Sequence, residues 1–179
     1  TNGILFNHES PLRGLEFVTR KISNDVAKIK LGLSKKINLG NLDGERDWGY
    51  APEYVEGMWK LLQEKTSGDY VLSTDETHTV REFAELAFAY VDLKWDKFVK
   101  VDKKLYRLLE VNSLKGDSSK TRKKIGWKPK IKFKQLVEIM VDADLDRWNK
   151  WINGEHFPWD ANNYINEANL QFRKFYKTK

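Results

Sequence analysis

The sequence contains no cysteine among its 179 residues, and this absence excludes several kinds of site. Disulfide bonds, thiolate metal ligands and cysteine nucleophiles all require a thiol. The absence fits a reducing compartment, so we expect a cytoplasmic protein. His78 and His156 have no partner residue in a recognisable metal-ligand pattern. We therefore expect no metal site, and a surface or packing role for both histidines.

Long apolar runs are also missing. No segment approaches the roughly 20 apolar residues that span a bilayer, and no basic segment followed by an apolar core marks an export signal. Residues 1–6 have strand character with no cap or turn before them. We expect neither membrane insertion nor export, and we expect this chain to be a piece of a larger protein.

The composition is that of a folded, mildly basic protein. Hydrophobic residues make up 40% of the chain and aromatic residues 13%, while the net charge is +6. This balance excludes global disorder. A chain of this length suits one compact domain or a large part of one.

Strand and helix patterns alternate along the chain. Such alternation indicates an α/β fold with a mostly parallel sheet. We predict strands over residues 3–7, 70–72 and 98–101, and helices that begin near Phe17, Pro52, Val80, Asp117 and Phe133.

The sequence also predicts where several of these helices begin and end, and which face of one helix is buried. Thr79 and Glu82 stand at capping-box spacing before an apolar stripe. Gly126 should end the short helix capped by Asp117, and the last helix should reach about Trp151. The predicted core-facing stripe of the helix near Pro52 consists of Val55, Met58, Trp59 and Leu62.

The chain divides into two parts of different character. Residues 1–147 carry the regular pattern, whereas residues 148–179 form a C-terminal extension that includes the end of the last helix. After Trp151 the aromatic residues have no clear period. We expect this tail to wrap over a surface.

A polar loop follows the first predicted strand, in residues 6–14. Ligands bind at the carboxyl ends of strands in α/β sheets, so Asn7, His8 and Arg13 could contact a nucleotide cofactor. The alternative, equally open, is that Asn7 and Ser10 satisfy the turn backbone while His8 packs against its neighbours.

Two arginines occur beside carboxylates. Arg46 could donate a forked pair of hydrogen bonds to a phosphate, although a salt bridge to Glu45 or Asp47 is favoured on spacing alone. Arg107 suits a phosphate and Glu110 suits ribose hydroxyls. A mutual surface ion pair between those two residues is an equally open alternative.

Residues 115–134 carry nine lysines and arginines against the single acid Asp117. A nucleic-acid footprint is one interpretation. Only two aromatic residues, Trp127 and Phe133, lie among these charged residues, and Phe133 belongs to a core stripe. A solvated charged face is therefore favoured over a nucleic-acid site.

Several blocks, in this order, resemble the GDP-mannose 4,6-dehydratases, which are extended short-chain dehydrogenase/reductases. Asn-His-Glu-Ser-Pro at residues 7–11 and Phe-Val-Thr-Arg-Lys at residues 17–21 are the most specific. Further matching blocks lie at residues 46–49, 54–59, 76–83 and 116–120, and the resemblance covers about residues 2–147.

The resemblance implies a fold and a set of ligands. The fold would be the C-terminal part of an NAD(P)-binding Rossmann-like domain with its smaller substrate-binding region. The cofactor would be NADP and the substrate GDP-mannose, in a full-length homo-oligomer, a dimer or tetramer. Leu12 stands where the family usually has Arg, and Leu108 replaces a usual Pro.

Individual roles also follow from the resemblance. His8 and Arg13 would contact NADP. Substrate-binding roles would fall to Val18 and Lys21 near the guanine, Arg46 and Arg107 at the diphosphate, Glu110 near the ribose, and Asn7.

The implied activity is a lyase reaction in nucleotide-sugar metabolism, on the route to GDP-fucose. GDP-D-mannose becomes GDP-4-dehydro-6-deoxy-D-mannose through an internal redox cycle on NADP and loss of water. The family's catalytic residues would all precede Thr1, so we assign no catalytic residue here. Tyr90 and Lys94 have the catalytic spacing but lie in the wrong place in the family order.

Two alternatives stay open from sequence. The chain could come from another nucleotide-sugar dehydratase or epimerase. It could also be a non-catalytic module that binds nucleic acid or protein through the basic face of residues 115–134.

Overall fold

The computed structural model describes residues 1–106 and 111–155. Its helices are α1 (Val18–Lys30), α2 (Ala51–Leu62), α3 (Val80–Tyr90), α4 (Ser119–Ile125) and α5 (Phe133–Ile152). Its strands are β1 (Asn2–Leu5), β2 (Asn7–Glu9), β3 (Ile37–Leu39), β4 (Glu45–Arg46), β5 (Trp48–Tyr50), β6 (Asp69–Leu72), β7 (His78–Thr79), β8 (Val99–Val101) and β9 (Ser113–Leu114).

The strands form several small sheets in the described part of the chain, not the one sheet that the sequence predicts. Parallel pairs join β1 to β6, β2 to β5, β3 to β8 and β4 to β9, while β7 lies antiparallel to β4. The division begins at Phe6, where the predicted first strand separates into β1 and β2, which pair with different partners. The α/β class and the predominance of parallel pairing are confirmed.

The main core lies among α1, α3 and α5. Their apolar stripes are buried as the periodicity predicts, and Trp48 on β5 packs edge-on against Phe83 and is stacked on Phe133. Fully buried members of this core include Ile22, Val26, Phe83, Phe88, Val137 and Met140. Burial of each such side chain stabilises the fold by about 1.5–3 kcal/mol.

The predicted stripe on α2 is wrong. Val55, Met58, Trp59 and Leu62 are between 38% and 73% exposed. The helix instead buries the face that carries Tyr54, Gly57 and Leu61, in a second small core with Tyr70, Leu72 and Trp127. The four residues of the predicted stripe therefore point away from the described part of the chain.

The predicted helix ends are largely confirmed. The Glu82 amide donates to Thr79 Oγ1 at 3.0 Å, and the Thr79 amide donates to Glu82 Oε2 at 2.8 Å, which completes the capping box. Gly126 ends α4 with φ at 63°. The N-cap position of α4 is Ser118, one residue later than predicted, but Ser118 makes no side-chain cap bond. Asp117 supplies the capping hydrogen bond instead, since its carboxylate accepts from the amide of Ser119, the first residue of α4, at 2.9 Å.

The last helix, α5, ends at Ile152, close to the predicted residue. The tail beyond residue 155 lies outside the described residues, so its predicted course over a surface stays a prediction. Within the described ranges, no helix has the length and apolar character needed to cross a membrane.

Candidate functional site

A cavity of about 550 Å³ opens between β2, the first turns of α1, and the segment from β3 to β4. The walls are mixed, with apolar side chains beside cations, amides and carboxylates. Five predicted site residues line it: Asn7, Arg13, Val18, Lys21 and Arg46. The structure therefore brings together residues that are up to 39 positions apart in sequence.

The first turns of α1 form one wall. Helix α1 begins at Val18. Val18 and Lys21 share a face of this helix, because they are three residues apart. The Lys21 ammonium donates to the Asn38 carbonyl at 2.6 Å, which fixes its long side chain across to β3. An apolar contact and an oriented cation thus stand side by side at the cavity.

Arg46 lies on β4 at the opposite wall. Its Nη1 donates at 2.7 Å to two carbonyls, those of Glu45 and Val111. These bonds orient the guanidinium at the cavity. The carboxylate of Asp47 accepts instead from Thr74 and from the backbone amides of residues 74, 75 and 116.

Arg107 and Glu110 lie outside the described residues, so their predicted roles stay predictions. The neighbouring residue Val111 is described: it lines the cavity, and its carbonyl accepts a hydrogen bond from Arg46.

Glu9 and Arg13 form a pair at the cavity that the sequence did not predict. Glu9 is 1% exposed, accepts from Thr19 Oγ1 at 2.6 Å and lies 3.3 Å from Arg13 Nε. The Arg13 guanidinium also sits 3.5 Å from the centre of the Phe17 ring. Burial raises the pKa of Glu9, and the hydrogen bond from Thr19 and the charge of Arg13 oppose that rise.

His8 lies apart from the residues that line this cavity. Its ring is stacked on Tyr54 with centroids 5.2 Å apart, and its Nδ1 donates to the Phe6 carbonyl at 2.8 Å. These contacts match the packing alternative. The predicted contact of His8 with a cofactor stays a prediction.

A buried charge network holds the loop that carries Arg13. Asp144 accepts both from Arg20, at 2.9–3.0 Å, and from Arg147, at 3.0 Å. Both arginines also donate to the Pro11 carbonyl, at 2.7 Å. Arg20 and Asp144 are 124 positions apart, so no local pattern could reveal the pair.

The basic stretch is largely engaged with neighbouring groups. Arg122 pairs with Asp75 at 2.8 Å, and Lys132 pairs with Glu76 at 3.0 Å. Lys124 pairs with Glu64. These contacts favour the solvated-face interpretation over a nucleic-acid footprint.

Other candidate residues have structural roles. His78 is stacked on Phe133 with ring centroids 3.8 Å apart, which confirms packing for this histidine. Tyr90 donates to Asp142 at 2.8 Å. Residues 1–106 and 111–155 contain no group of three or more potential metal ligands, and His156 lies outside them.

Solved structures share this fold. The chain superimposes on RMD from Pseudomonas aeruginosa complexed with NADPH with a TM-score of 0.74, at 22% identity over 81% of this chain and 48% of that one. UDP-glucose 4-epimerase from Thermus thermophilus, in complex with NAD, gives 0.66 at 20% identity, over 79% and 45%. The fold is that of part of an extended short-chain dehydrogenase/reductase.

Sequence comparison narrows the class to one family. The model of the GDP-mannose 4,6 dehydratase family matches residues 1–140, and the chain belongs to that family. It is 54% identical to GDP-mannose 4,6 dehydratase 1 of Arabidopsis thaliana over 81% of this chain. It is 48% identical to GDP-mannose 4,6 dehydratase of Homo sapiens, also over 81%. The chain spans 40% and 44% of the lengths of these two relatives.

Proposed function

We propose that this chain supplies the GDP-sugar-binding part of a GDP-mannose 4,6-dehydratase, a hydro-lyase that acts on GDP-D-mannose. The observation that carries the proposal is the cavity of about 550 Å³, which gathers Asn7, Val18, Lys21 and Arg46 in a chain of this family. The product of this dehydratase would be GDP-4-dehydro-6-deoxy-D-mannose.

Each residue of the site provides a different kind of contact to the substrate. Val18 gives an apolar surface and Lys21 a fixed cation for the guanine end of the substrate. Arg46 presents a planar guanidinium to the diphosphate, and Arg107 would add a second one. Glu110 would accept hydrogen bonds from ribose hydroxyls, and Asn7 would complete the polar wall.

NADP is the cofactor that we propose for the parent enzyme, in contact with His8 and Arg13. Arg13 fits this role, because the Glu9 carboxylate and the Phe17 ring hold its guanidinium at the cavity. When bound, NADP supplies hydride transfer. We further propose that the parent enzyme is a cytoplasmic homo-oligomer, a dimer or tetramer, on the route to GDP-fucose.

Calorimetry with GDP tests the proposal. Arg46→Lys removes the forked donor and keeps the charge, so GDP should bind about 1–3 kcal/mol more weakly if one charge-assisted hydrogen bond is lost. Arg81→Lys is the matched control, because Arg81 pairs with Asp43 outside the cavity. Equal GDP affinity in both variants and the unmodified chain would overturn the role of Arg46, and no GDP binding at all would overturn the proposed function.

A further inference from the structure

Three rings contact one another at the start of α2, those of His8, Tyr54 and Trp127. The imidazole of His8 is stacked on Tyr54, with centroids 5.2 Å apart and an angle of 21° between the two planes. Tyr54 in turn meets Trp127 edge to face, with centroids 5.4 Å apart. Tyr54 and Trp127 are 0% and 1% exposed, whereas His8 is half-buried. The three rings therefore run from a closed core to the partly open ring of His8.

The ring of Tyr54 is held in place on two sides. It occupies the space beside Gly49, because a Cβ atom at that residue would lie 2.3 Å from Tyr54 Cε2 and 2.5 Å from the hydroxyl. Gly49 is paired with His8 across the parallel strands β5 and β2. On the other side, the indole of Trp127 donates to the Glu53 carbonyl at 2.8 Å. Glycine at residue 49 thus lets the Tyr54 ring lie against the β2–β5 pair.

The imidazole of His8 is oriented by a hydrogen bond as well as by the stack. Its Nδ1 lies 2.8 Å from the Phe6 carbonyl, and because a carbonyl can only accept, Nδ1 carries a proton. In the neutral ring, Nε2 is then unprotonated and can only accept. Within the described residues, Nε2 has no hydrogen-bond partner and is not among the buried unpartnered atoms. One acceptor atom of His8 is therefore available to a ligand.

We propose that Tyr54 is the positioning residue of His8. Its ring, which lies against Gly49, holds the imidazole with Nδ1 on the Phe6 carbonyl and presents Nε2 as a fixed acceptor. The group that binds at Nε2 is then a hydrogen-bond donor, a hydroxyl or an amide, and not a phosphate oxygen. This inference rests on the proposed function in taking NADP, which carries ribose hydroxyls and a carboxamide, as the source of that donor.

The hydroxyl of Tyr54 takes no part in this role. It is buried and has no hydrogen-bond partner among the described residues. Burial raises the pKa of Tyr54, as do the charges of nearby carboxylates such as Asp47 and Asp75, so the hydroxyl stays protonated. The ring of Tyr54 provides the stacking contact with His8. Phenylalanine at residue 54 should therefore position His8 as well as tyrosine does.

Nuclear magnetic resonance of the ¹⁵N-labelled chain tests the proposal. Protonated and unprotonated imidazole nitrogens resonate apart, so the spectrum gives the ratio of the two neutral tautomers. The chain has three histidines, and the spectrum of His8→Asn identifies the signals of His8. At about pH 8.5, which favours neutral imidazoles, the tautomer protonated at Nδ1 should exceed the other at least about tenfold.

Four variants assign this preference to the ring of Tyr54. Tyr54→Leu removes the ring and should lower the tautomer ratio at least about fivefold, whereas Tyr54→Phe should keep it within about twofold. Gly49→Ala displaces the Tyr54 ring and should lower the ratio as well. Leu61→Ala is the matched control, because Leu61 is a 3% exposed residue of the same small core, about two turns further along α2. It should lower stability and leave the ratio unchanged.

Three results would overturn the proposal. The first is a mixture of the two tautomers in the unmodified chain, which needs no variant to be observed. The second is an unchanged ratio in Tyr54→Leu or, if that variant does not fold, in Gly49→Ala. The third is a Leu61→Ala variant that lowers the ratio as much as Tyr54→Leu does, because the His8 ring would then respond to any loosening of the core.

NADP and inorganic phosphate, added separately to the unmodified chain, test which group binds at Nε2. NADP should shift the Nε2 signal of His8, and inorganic phosphate should not. An equal response to both would overturn the assignment of a hydroxyl or amide donor. A held ring that does not respond to NADP refutes the cofactor role of His8 in the proposed function and leaves Tyr54 as its positioning residue. A response to NADP without a tautomer preference refutes only the positioning by Tyr54.

Discussion

At the scale of single residues, the most consequential group is Asp144. Its carboxylate is fully buried and accepts from Arg20, Arg147 and Ser23, and the two arginines in turn hold the carbonyl of Pro11. Removing its charge would leave two arginines at the site without their shared partner. The network thus links α1 and α5 to the loop that leads to Arg13.

We expect Asp144→Asn to lower the free energy of unfolding by about 3–5 kcal/mol, the usual cost of removing one partner from a buried ion pair. Urea denaturation measures the change. Asp146→Asn is the control, because Asp146 is an exposed residue that pairs with Lys150 on the same helix and should cost at most about 1 kcal/mol. Equal losses of unfolding free energy in the two variants would show that the buried network stabilises the protein no more than an exposed ion pair does.

Glu9 gives a pH-dependent prediction. Because burial raises its pKa above 4.5, the folded state binds more protons than the unfolded state, and stability falls as pH rises through that window. Glutamine cannot ionise, so the Glu9→Gln variant does not lose stability in this way as pH rises. The stability of Glu9→Gln relative to the unmodified chain should therefore increase between about pH 4 and pH 7. Urea titrations at several pH values check this, and a constant or decreasing difference would contradict it.

At the scale of elements, the capping box of α3 is the local signal that the structure reproduces most faithfully. We expect Thr79→Ala to destabilise the protein by about 1 kcal/mol, because the amide of Glu82 loses its acceptor. Thermal unfolding gives the measurement. Thr66→Ala, at an exposed position outside the helices, should change stability by less than about 0.5 kcal/mol. A neutral Thr79→Ala would mean that the cap contributes no stability.

The elements differ in how well their sequence predicts them. Periodicity identified the buried faces of α1, α3 and α5 because those helices pack on one another within this chain. It failed on α2, where Tyr54, Gly57 and Leu61 face the core and the four residues of the predicted stripe do not. A hydrophobic stripe predicts burial, but it does not reveal which partner covers it.

The candidate site, too, could be predicted only in part from the sequence. Resemblance pointed to Asn7, Val18, Lys21 and Arg46, and the structure places all four around one cavity. The contacts that orient the site were not predictable, because Glu9 lies on a strand and Arg13 in a loop, where a spacing of four residues does not indicate a contact. Five strands, β3, β4, β5, β7 and β9, were also missed, because each has only two or three residues and no readable alternation.

At the scale of the whole molecule, the described residues combine a closed core with open surfaces. Its main core is closed, whereas its two-stranded parallel sheet and the outer face of α2 are open. The candidate cavity is lined in part by residues of the main core, Leu39, Trp48 and Val80. Under the proposed function, this chain binds the nucleotide sugar, and the resemblance places the residues of the redox chemistry outside it.

This division predicts that the chain alone does not turn over its substrate. Incubation with GDP-mannose and NADP should yield no 4-keto product, because the resemblance places the proton-transfer and hydride-handling residues outside this chain. A mass-spectrometric search for the product makes the measurement, with the Arabidopsis thaliana relative as positive control. Product formation by this polypeptide alone would contradict the division.

The most direct test of the account is a crystal structure of the chain with GDP. We expect one nucleotide in the cavity between α1 and β4, with guanine beside Val18 and Lys21 and the diphosphate within hydrogen-bond distance of Arg46. A nucleotide bound elsewhere, or a cavity that stays empty at saturating GDP, would contradict the proposed function.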